Sequence, residues 1–303
     1  MRSANFRSNY LAKVGGLQSS AETSKLLEEQ LLAGESVIVD RQKLAQFALK
    51  YEIPSKYRVP VWKLLLGITP CYAQAKSLVA QHRQEQADLL YRSLQTMRKA
   101  EGTAEQPTAV DVVRMIQLES DRLPLGQDVW ALGDSVRQTI ASQMLHICGD
   151  SWAEAYWLTK LLDRSLSDIL NTETVDSLLA EAKLDLAAVN QSLWAALGNG
   201  EVWDQLPLAF WLKSACAALF ETQPLARLWD KICTGDRPGV LFTLKTALVE
   251  FLLVVGPQFI DQGAQLKLAG PIYHLSPEAQ AKIVSRTLEK LASRPGRRSD
   301  TKR

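Results

Sequence analysis

Residues 53–67 of this chain read IPSKYRVPVWKLLLG, and the interpretation of the fold begins with this stretch. Its apolar side chains recur at helical spacing, at Trp62, Leu65 and Leu66. Pro54 precedes them and Gly67 follows them, and these two residue types commonly stand at the two ends of a helix. The stretch therefore predicts a short amphipathic helix that buries Trp62 in a core.

The same helical spacing continues over most of the chain. Further helices are predicted at 75–99, 128–147, 151–170, 173–189, 191–197, 207–220, 223–233, 238–255 and 277–292. The last begins with Ser276 as N-cap and Pro277 at the first helical position. No window combines strand alternation with a hairpin turn, and no internal repeat is visible. The sequence therefore predicts an all-α fold.

The composition is that of a folded protein rather than a collagen-like or disordered one. Of the 303 residues, 47% are hydrophobic and 22% are charged, which is enough apolar material for a sizeable core. The formal net charge is +2, but residues 293–303 alone carry +4. The remainder is therefore mildly acidic, which argues against a nucleic-acid-binding face. Residues 293–303 are predicted to be a disordered basic tail.

The positions of the cysteines and histidines, and the composition of the apolar segments, argue against disulfide-rich, zinc-binding, secreted and membrane-spanning proteins. Four cysteines and three histidines are scattered without a CxxC pair, so neither a disulfide framework nor a zinc site is predicted. No generic catalytic or nucleotide-binding motif is present, and no cofactor is predicted. Residues 1–16 lack the apolar core of a signal peptide, which predicts a cytoplasmic protein. The apolar run 240–255 contains Lys245 and Glu250 and is shorter than the ~20 residues of a membrane span, so it is predicted to be a buried helix.

Three segments, taken together and in order, resemble the TBC (Tre-2/Bub2/Cdc16) domain. Residues 53–67 are similar to the family pattern I-P-x-x-x-R-x-x-V-W-x-x-L-L-G. Residues 116–124 (IQLESDRLP) are similar to I-x-x-D-x-x-R, and residues 225–232 (LARLWDKI) to a late R-x-W-D segment. The resemblance covers about residues 40–260 and implies an all-α TBC domain, whose active members are GTPase-activating proteins for Rab GTPases. The predicted division is an N-terminal helical extension (1–39), a TBC domain (40–292) and the basic tail.

The resemblance also implies two catalytic candidates, Arg122 and Gln138. An arginine finger offsets charge that develops on the transferred phosphoryl group, and a glutamine orients the attacking water. Arg122 stands at the arginine of I-x-x-D-x-x-R, although Glu119 replaces the aspartate. Gln138 is the candidate for the glutamine of Y-x-Q-G, although neither the tyrosine nor the glycine is present. The alternative is that both are ordinary surface residues, and no efficient GTPase activation by this chain alone is expected.

Residues 5–15 (NFRSNYLAKVG), 54–68 and 115–124 further resemble those TBC proteins that are subunits of the tuberous sclerosis complex. The resemblance implies a protein that binds the hamartin coiled coil, and through it tuberin. Tuberin is the GTPase-activating subunit for Rheb, and the assembly restrains the target-of-rapamycin kinase. Recruitment to lysosomal or vesicle membranes through these partners is also expected.

The helix predicted at 82–99 offers a candidate partner-binding stripe. Leu90, Leu94 and Met97 have the spacing i, i+4, i+7 on an otherwise charged helix. Such a stripe suits helix-against-helix binding of a coiled coil. The alternative is that it packs against its own domain.

Three functional hypotheses follow from the sequence. The favoured one is a non-catalytic or weakly catalytic subunit of the tuberous sclerosis complex. The second is an autonomous Rab GTPase activator that uses Arg122, and the third is a helical scaffold with neither property. Arg58 and Asp230 lie in two of the family segments, and they are predicted to form a buried pair that links the two halves of the domain.

Overall fold

The computed structural model describes residues 38–103, 105–124, 131–197, 201–262 and 273–294, together with Lys25, Leu27 and Leu266. The predicted N-terminal extension and basic tail lie almost entirely outside the described residues. The described part is all-α and contains no β-strand, apart from an isolated antiparallel bridge between Ile38 and Tyr72. Its helices are α1 (Arg41–Lys50), α2 (Ser55–Leu65), α3 (Lys76–Thr96), α4 (Ala109–Glu119), α5 (Leu132–Cys148), α6 (Trp152–Ile169), α7 (Thr172–Val189), α8 (Gln191–Ala196), α9 (Leu208–Lys213), α10 (Thr222–Ile232), α11 (Arg237–Gln262) and α12 (Pro277–Ala292).

Side-chain caps fix where several of these helices begin. The Asp40 carboxylate accepts hydrogen bonds from the backbone N–H groups of Gln42 and Lys43 at 3.0 and 3.1 Å. Thr108 and Asp111 form a reciprocal capping box at the start of α4. Each cap satisfies backbone donors that have no partner inside the helix, and a capping side chain typically contributes about 1 kcal/mol.

The core contains the buried pair that the sequence predicted. Arg58 Nε on α2 donates to Asp230 Oδ2 on α10 at 3.2 Å, and Trp62 Nε1 donates to Asp230 Oδ1 at 3.0 Å. Trp62 and Trp229 are fully buried, and their rings meet edge to face with centroids 6.1 Å apart. The predictions for Arg58, Asp230 and Trp62 are confirmed, and the ion pair joins residues 172 positions apart in the chain.

Helix α11 is the apolar helix predicted at 240–255. It is long and apolar enough to cross a membrane by length and composition, but 72% of its most apolar window is buried inside the protein. Its buried Glu250 pairs with Lys290 of α12 at 2.7 Å, and Lys245 pairs with Glu181 and Asp185 of α7, each at 2.9 Å. The prediction of a buried helix is confirmed, although the helix extends further at both ends.

The helix predicted at 207–220 is shorter in the structure. It ends at Lys213, and a buried turn follows. Ala215 and Cys216 have φ values of 51° and 62°, in the left-handed region that a continuing helix excludes. The turn is held by Trp229 Nε1, which donates to the Ala215 carbonyl at 3.0 Å. This long-range hydrogen bond outweighs the local helical pattern.

Candidate functional site

Arg122 stands on the turn that ends α4. Asp121 adopts a φ of 54°, and the N–H groups of Asp121 and Arg122 donate back to the carbonyls of Leu118 and Gln117 at 3.1 and 2.8 Å. These two bonds form a Schellman motif, which stops the helix and turns the chain outward. Arg122 is exposed on this turn, and its Nε donates to Ser120 Oγ at 3.2 Å.

Glu119, three residues earlier, is engaged by two other helices. Gln86 Nε2 of α3 donates to Oε1 at 2.8 Å, and the Tyr156 hydroxyl of α6 donates to Oε2 at 2.7 Å. Lys160 of α6 forms an ion pair with the same Oε2. Burial works to raise the pKa of Glu119, but the hydrogen bonds from Lys160 and Tyr156 outweigh it, and the pKa lies below its usual value. Within the described part of the chain, no hydrogen bond or ion pair joins Glu119 to Arg122.

Positive charge gathers around this carboxylate. The Arg83 guanidinium lies 4.0 Å from the centre of the Trp157 ring, and Lys160 Nζ lies 4.6 Å from it. Trp157 Nε1 donates to the Arg83 carbonyl at 3.0 Å, which fixes α3 against α6. Cations over an aromatic face are attracted by the ring quadrupole, so both side chains are held in place. Arg83 and Lys160 thus bring positive charge to the Glu119 carboxylate, and Arg122 is an exposed cation three positions further along the chain.

Sequence reasoning missed the residues that surround Glu119. Arg83 and Trp157 are 74 positions apart, and Lys160 and Glu119 are 41 positions apart. Helical periodicity reports on one helix at a time, so it carries no signal for contacts between helices.

Gln138 lies inside α5, the helix predicted at 128–147. Its neighbour Arg137 is bound by two carboxylates: Nε donates to Asp163 at 2.8 Å, and Nη1 donates to Asp134 at 3.1 Å. Burial raises the pKa of Asp163, while Arg137 and the more distant charge of Arg122 act to lower it. Arg122 therefore lies within electrostatic reach of the helix pair that carries Gln138. No hydrogen bond joins Arg122 to Gln138, and a shared catalytic role for them stays a prediction.

The predicted partner stripe on α3 needs correction. Leu94 is fully buried in the core, and Leu90 is half-buried and packs against the same core. Only Met97, at the C-cap, is exposed. Ala87, Tyr91 and Leu94 form the buried face of this helix, and they have the same i, i+4, i+7 spacing as the predicted stripe. Leu94 is therefore not available to a partner, and the buried face is offset by three positions from the predicted stripe. Partner binding by Leu90 and Met97 stays a prediction.

Helix α3 does expose apolar side chains, but at positions outside the predicted stripe. Leu78 and Leu89 are 57% and 62% exposed. They lie eleven positions apart, close to three helical turns, and therefore on one face. That face is apolar at intervals and has no partner among the described residues.

The fold is that of a TBC domain. The structure matches the crystal structure of the Ypt/Rab-GAP domain of Gyp1p with a TM-score of 0.56 over 91% of this chain and 99% of that one. The two sequences are 15% identical, so this likeness concerns the fold. No protein-family model matches the chain.

The sequence comparison points to one kind of TBC protein. The chain is 29% identical over 291 residues to TBC1 domain family member 7 of Homo sapiens, covering 94% of this chain and 93% of that protein. It is 29% identical over 258 residues to the protein of the same name from Xenopus tropicalis, covering 83% of each. The corresponding figures for Bos taurus are 26% and 288 residues. The resemblance to TBC proteins is thus found in sequence as well as in fold.

Proposed function

We propose that this chain is a non-catalytic or weakly catalytic TBC-domain subunit of the tuberous sclerosis complex. It binds the hamartin coiled coil, stabilises the hamartin–tuberin assembly that activates the Rheb GTPase, and so restrains target-of-rapamycin signalling. Similarity to TBC1 domain family member 7 over 94% of the chain supports the assignment to this kind of subunit. We also propose a cytoplasmic protein that its partners recruit to lysosomal or vesicle membranes.

The weak-catalysis part of the proposal rests on the hydrogen-bond partners of Glu119 and Arg122. An arginine finger contributes ~10³–10⁵ to the rate only when it is held in the geometry of the transition state. Glu119 accepts hydrogen bonds from Gln86, Tyr156 and Lys160, and within the described residues the side chain of Arg122 bonds to Ser120 on an exposed turn. The arginine is therefore poorly pre-organised for catalysis.

The partner-binding part of the proposal moves to the exposed face of α3. Leu89 and, at the helix end, Met97 present apolar side chains to solvent. Exposed Glu85 and Arg92 flank Leu89 on the same side of the helix. Alternating apolar and charged positions suit packing against another helix, as in a coiled coil.

Binding of the purified full-length chain to the hamartin coiled coil tests this part. We expect Leu89→Glu to weaken binding at least tenfold without changing the thermal unfolding midpoint, because the side chain is already in water. Leu184→Glu is the matched control, since Leu184 on α7 is 72% exposed. Equal binding by both variants would remove α3 from the interface.

A second function, autonomous GTPase activation for a Rab protein, is favoured by one observation. Arg122 is exposed three positions after Glu119, whose carboxylate pairs with Lys160, and so offers a cation that can face a nucleotide phosphate. Single-turnover GTP hydrolysis by a panel of Rab proteins tests it, with Arg122→Ala as the variant and the exposed Arg164→Ala as the control. Stimulation of ~10³ or more that only Arg122→Ala abolishes would establish this function. We expect little stimulation and no difference between the variants.

A further inference from the structure

A second exposed apolar surface lies where the chain enters α1. Ile38 and Tyr72 form the isolated antiparallel bridge, and Val39 N–H donates to the Cys71 carbonyl at 3.1 Å. This pairing holds Ile38 and Tyr72 side by side, yet their side chains are 60% and 62% exposed. Tyr72 lies just before α3, whose first turn carries the exposed Leu78. Three large apolar side chains therefore stand in water near one edge of the domain.

Cations surround this edge. Arg41 follows Ile38 by three positions, with its guanidinium beside Gly67, and Lys76 begins α3 four positions after Tyr72. Within the described residues, Arg41 and Lys76 make no ion pair. The two acidic groups nearby are already matched, because Asp40 pairs with Lys43 and Glu154 pairs with Lys63.

The charge distribution of the chain gives the same picture on a larger scale. Residues 38–80 contain seven lysines and arginines against two acidic residues, a net charge of +5. The whole chain has a net charge of +2, so the rest of it is negative. Positive charge is therefore concentrated in the first helices and in residues 293–303, and the exposed apolar edge belongs to the first of these regions.

A groove extends this surface between α2, α3 and the α5–α6 junction. It has a volume of about 440 Å³, and its walls are mostly aliphatic, including Pro60, Leu64 and Ile147. Lys63 and Lys76 line it as well. The apolar edge and the groove share Lys76, so they form one continuous surface.

We infer that this surface, defined by Ile38, Arg41, Tyr72, Lys76 and Leu78, binds an anionic lipid membrane directly. Tyrosine and aliphatic side chains ringed by lysine and arginine are typical of proteins that rest on a membrane interface. Lysine is depleted from protein–protein interfaces, which makes an acidic protein the less suitable occupant. The contact would add to recruitment through partners, and it does not depend on the proposed subunit function.

Sedimentation of the full-length chain with vesicles tests the inference. We expect binding to phosphatidylcholine vesicles that contain phosphatidylserine, weaker binding as salt is raised, and none to phosphatidylcholine alone. Arg41→Gln and Lys76→Gln should each lower the partition coefficient about fivefold, because each removes one cation from the surface. Tyr72→Ser should lower binding at unchanged net charge, because it removes an inserted ring.

The matched control is Lys282→Gln on α12, which removes one charge from an exposed position on another helix. All variants change exposed or half-buried side chains, so equal thermal unfolding midpoints will show that the fold is intact. The inference is overturned if vesicle binding does not depend on phosphatidylserine, or if Lys282→Gln lowers it as much as Arg41→Gln and Lys76→Gln do. It is also overturned if those two variants weaken hamartin binding while vesicle binding is unchanged, because the surface is then a protein contact.

Discussion

Two carboxylates in this domain are held in similar ways, and yet their pKa values are shifted in opposite directions. Asp230 accepts hydrogen bonds from Arg58 and Trp62, and Glu119 accepts from Gln86, Tyr156 and Lys160. Burial raises the pKa of Asp230 to about 6 despite Arg58 and Lys231, whereas the pKa of Glu119 is lowered despite its partial burial. The number of donors does not decide the direction. The degree of burial does, because desolvation opposes the charged form.

The difference in burial gives the two clusters different roles: the Asp230 cluster is structural, and the Glu119 cluster lies on a surface that can bind a ligand. The Asp230 cluster is sealed by the Trp62–Trp229 pair and joins α2 to α10. The Glu119 cluster lies at the edge of the domain, and its cations remain partly in water. Both clusters come from family segments, but only the second one leaves charge available to a partner.

Removal of one member of the sealed cluster should have the largest effect. Arg58→Ala leaves the Asp230 carboxylate buried without its ion pair, and we expect a loss of about 3–5 kcal/mol in the free energy of unfolding. Urea unfolding measures it, with the exposed Arg164→Ala as the control, which should stay within about 0.5 kcal/mol. The double variant Arg58→Ala/Asp230→Asn should regain part of the loss. A cost for Arg58→Ala below about 1 kcal/mol would mean that the pair does not hold the two halves together.

The second prediction compares the two faces of α3. Leu94→Ala should cost about 2–5 kcal/mol, because it opens a cavity in the core. Leu89→Ala removes the same atoms from an exposed side chain and should change stability by less than about 0.5 kcal/mol. Denaturant unfolding of the two variants measures the difference, and equal losses would show that the helix presents another face to the core.

How much of this could be predicted from the sequence differs between the two regions. Trp62, Arg58 and Asp230 lie in segments with a strong family pattern, so their burial and pairing could be predicted. Periodicity located α3 but not its orientation, because 87/91/94 and 90/94/97 satisfy the same spacing. The donors to Glu119 and the left-handed turn at Ala215 depend on contacts between distant helices, and no local pattern encodes them.

The third prediction uses the opposite pKa shifts. The folded protein holds the Asp230 proton more tightly than the unfolded chain, in which the pKa is about 3.9. This group therefore contributes stability that is fully present below about pH 4 and is lost as the pH rises through about 6. Between about pH 4 and a pH well above 6, the free energy of unfolding of the wild-type protein should fall by about 2–3 kcal/mol more than that of Asp230→Asn.

Glu119 should give a difference of the opposite sign. Its folded pKa is lowered, so its contribution is present above the unfolded value and is lost as the pH falls through the folded one. Unfolding by urea at a series of pH values, for the wild type, Asp230→Asn and Glu119→Gln, measures both. Parallel pH profiles for all three proteins would contradict the assignment of opposite shifts.

The smallest effect is expected at the turn that carries Arg122. The left-handed conformation of Asp121 costs free energy because of its Cβ, whereas glycine adopts it freely. Asp121→Gly should therefore stabilise the domain by about 0.5–1 kcal/mol. Asp121→Ala is the matched variant, because it keeps a Cβ and loses only the carboxylate, and it should not stabilise. Thermal unfolding measures both. If glycine stabilises the domain and alanine does not, the left-handed backbone at position 121 determines the turn. The position of Arg122 then depends on the backbone geometry at the end of α4 and not on the carboxylate of Glu119.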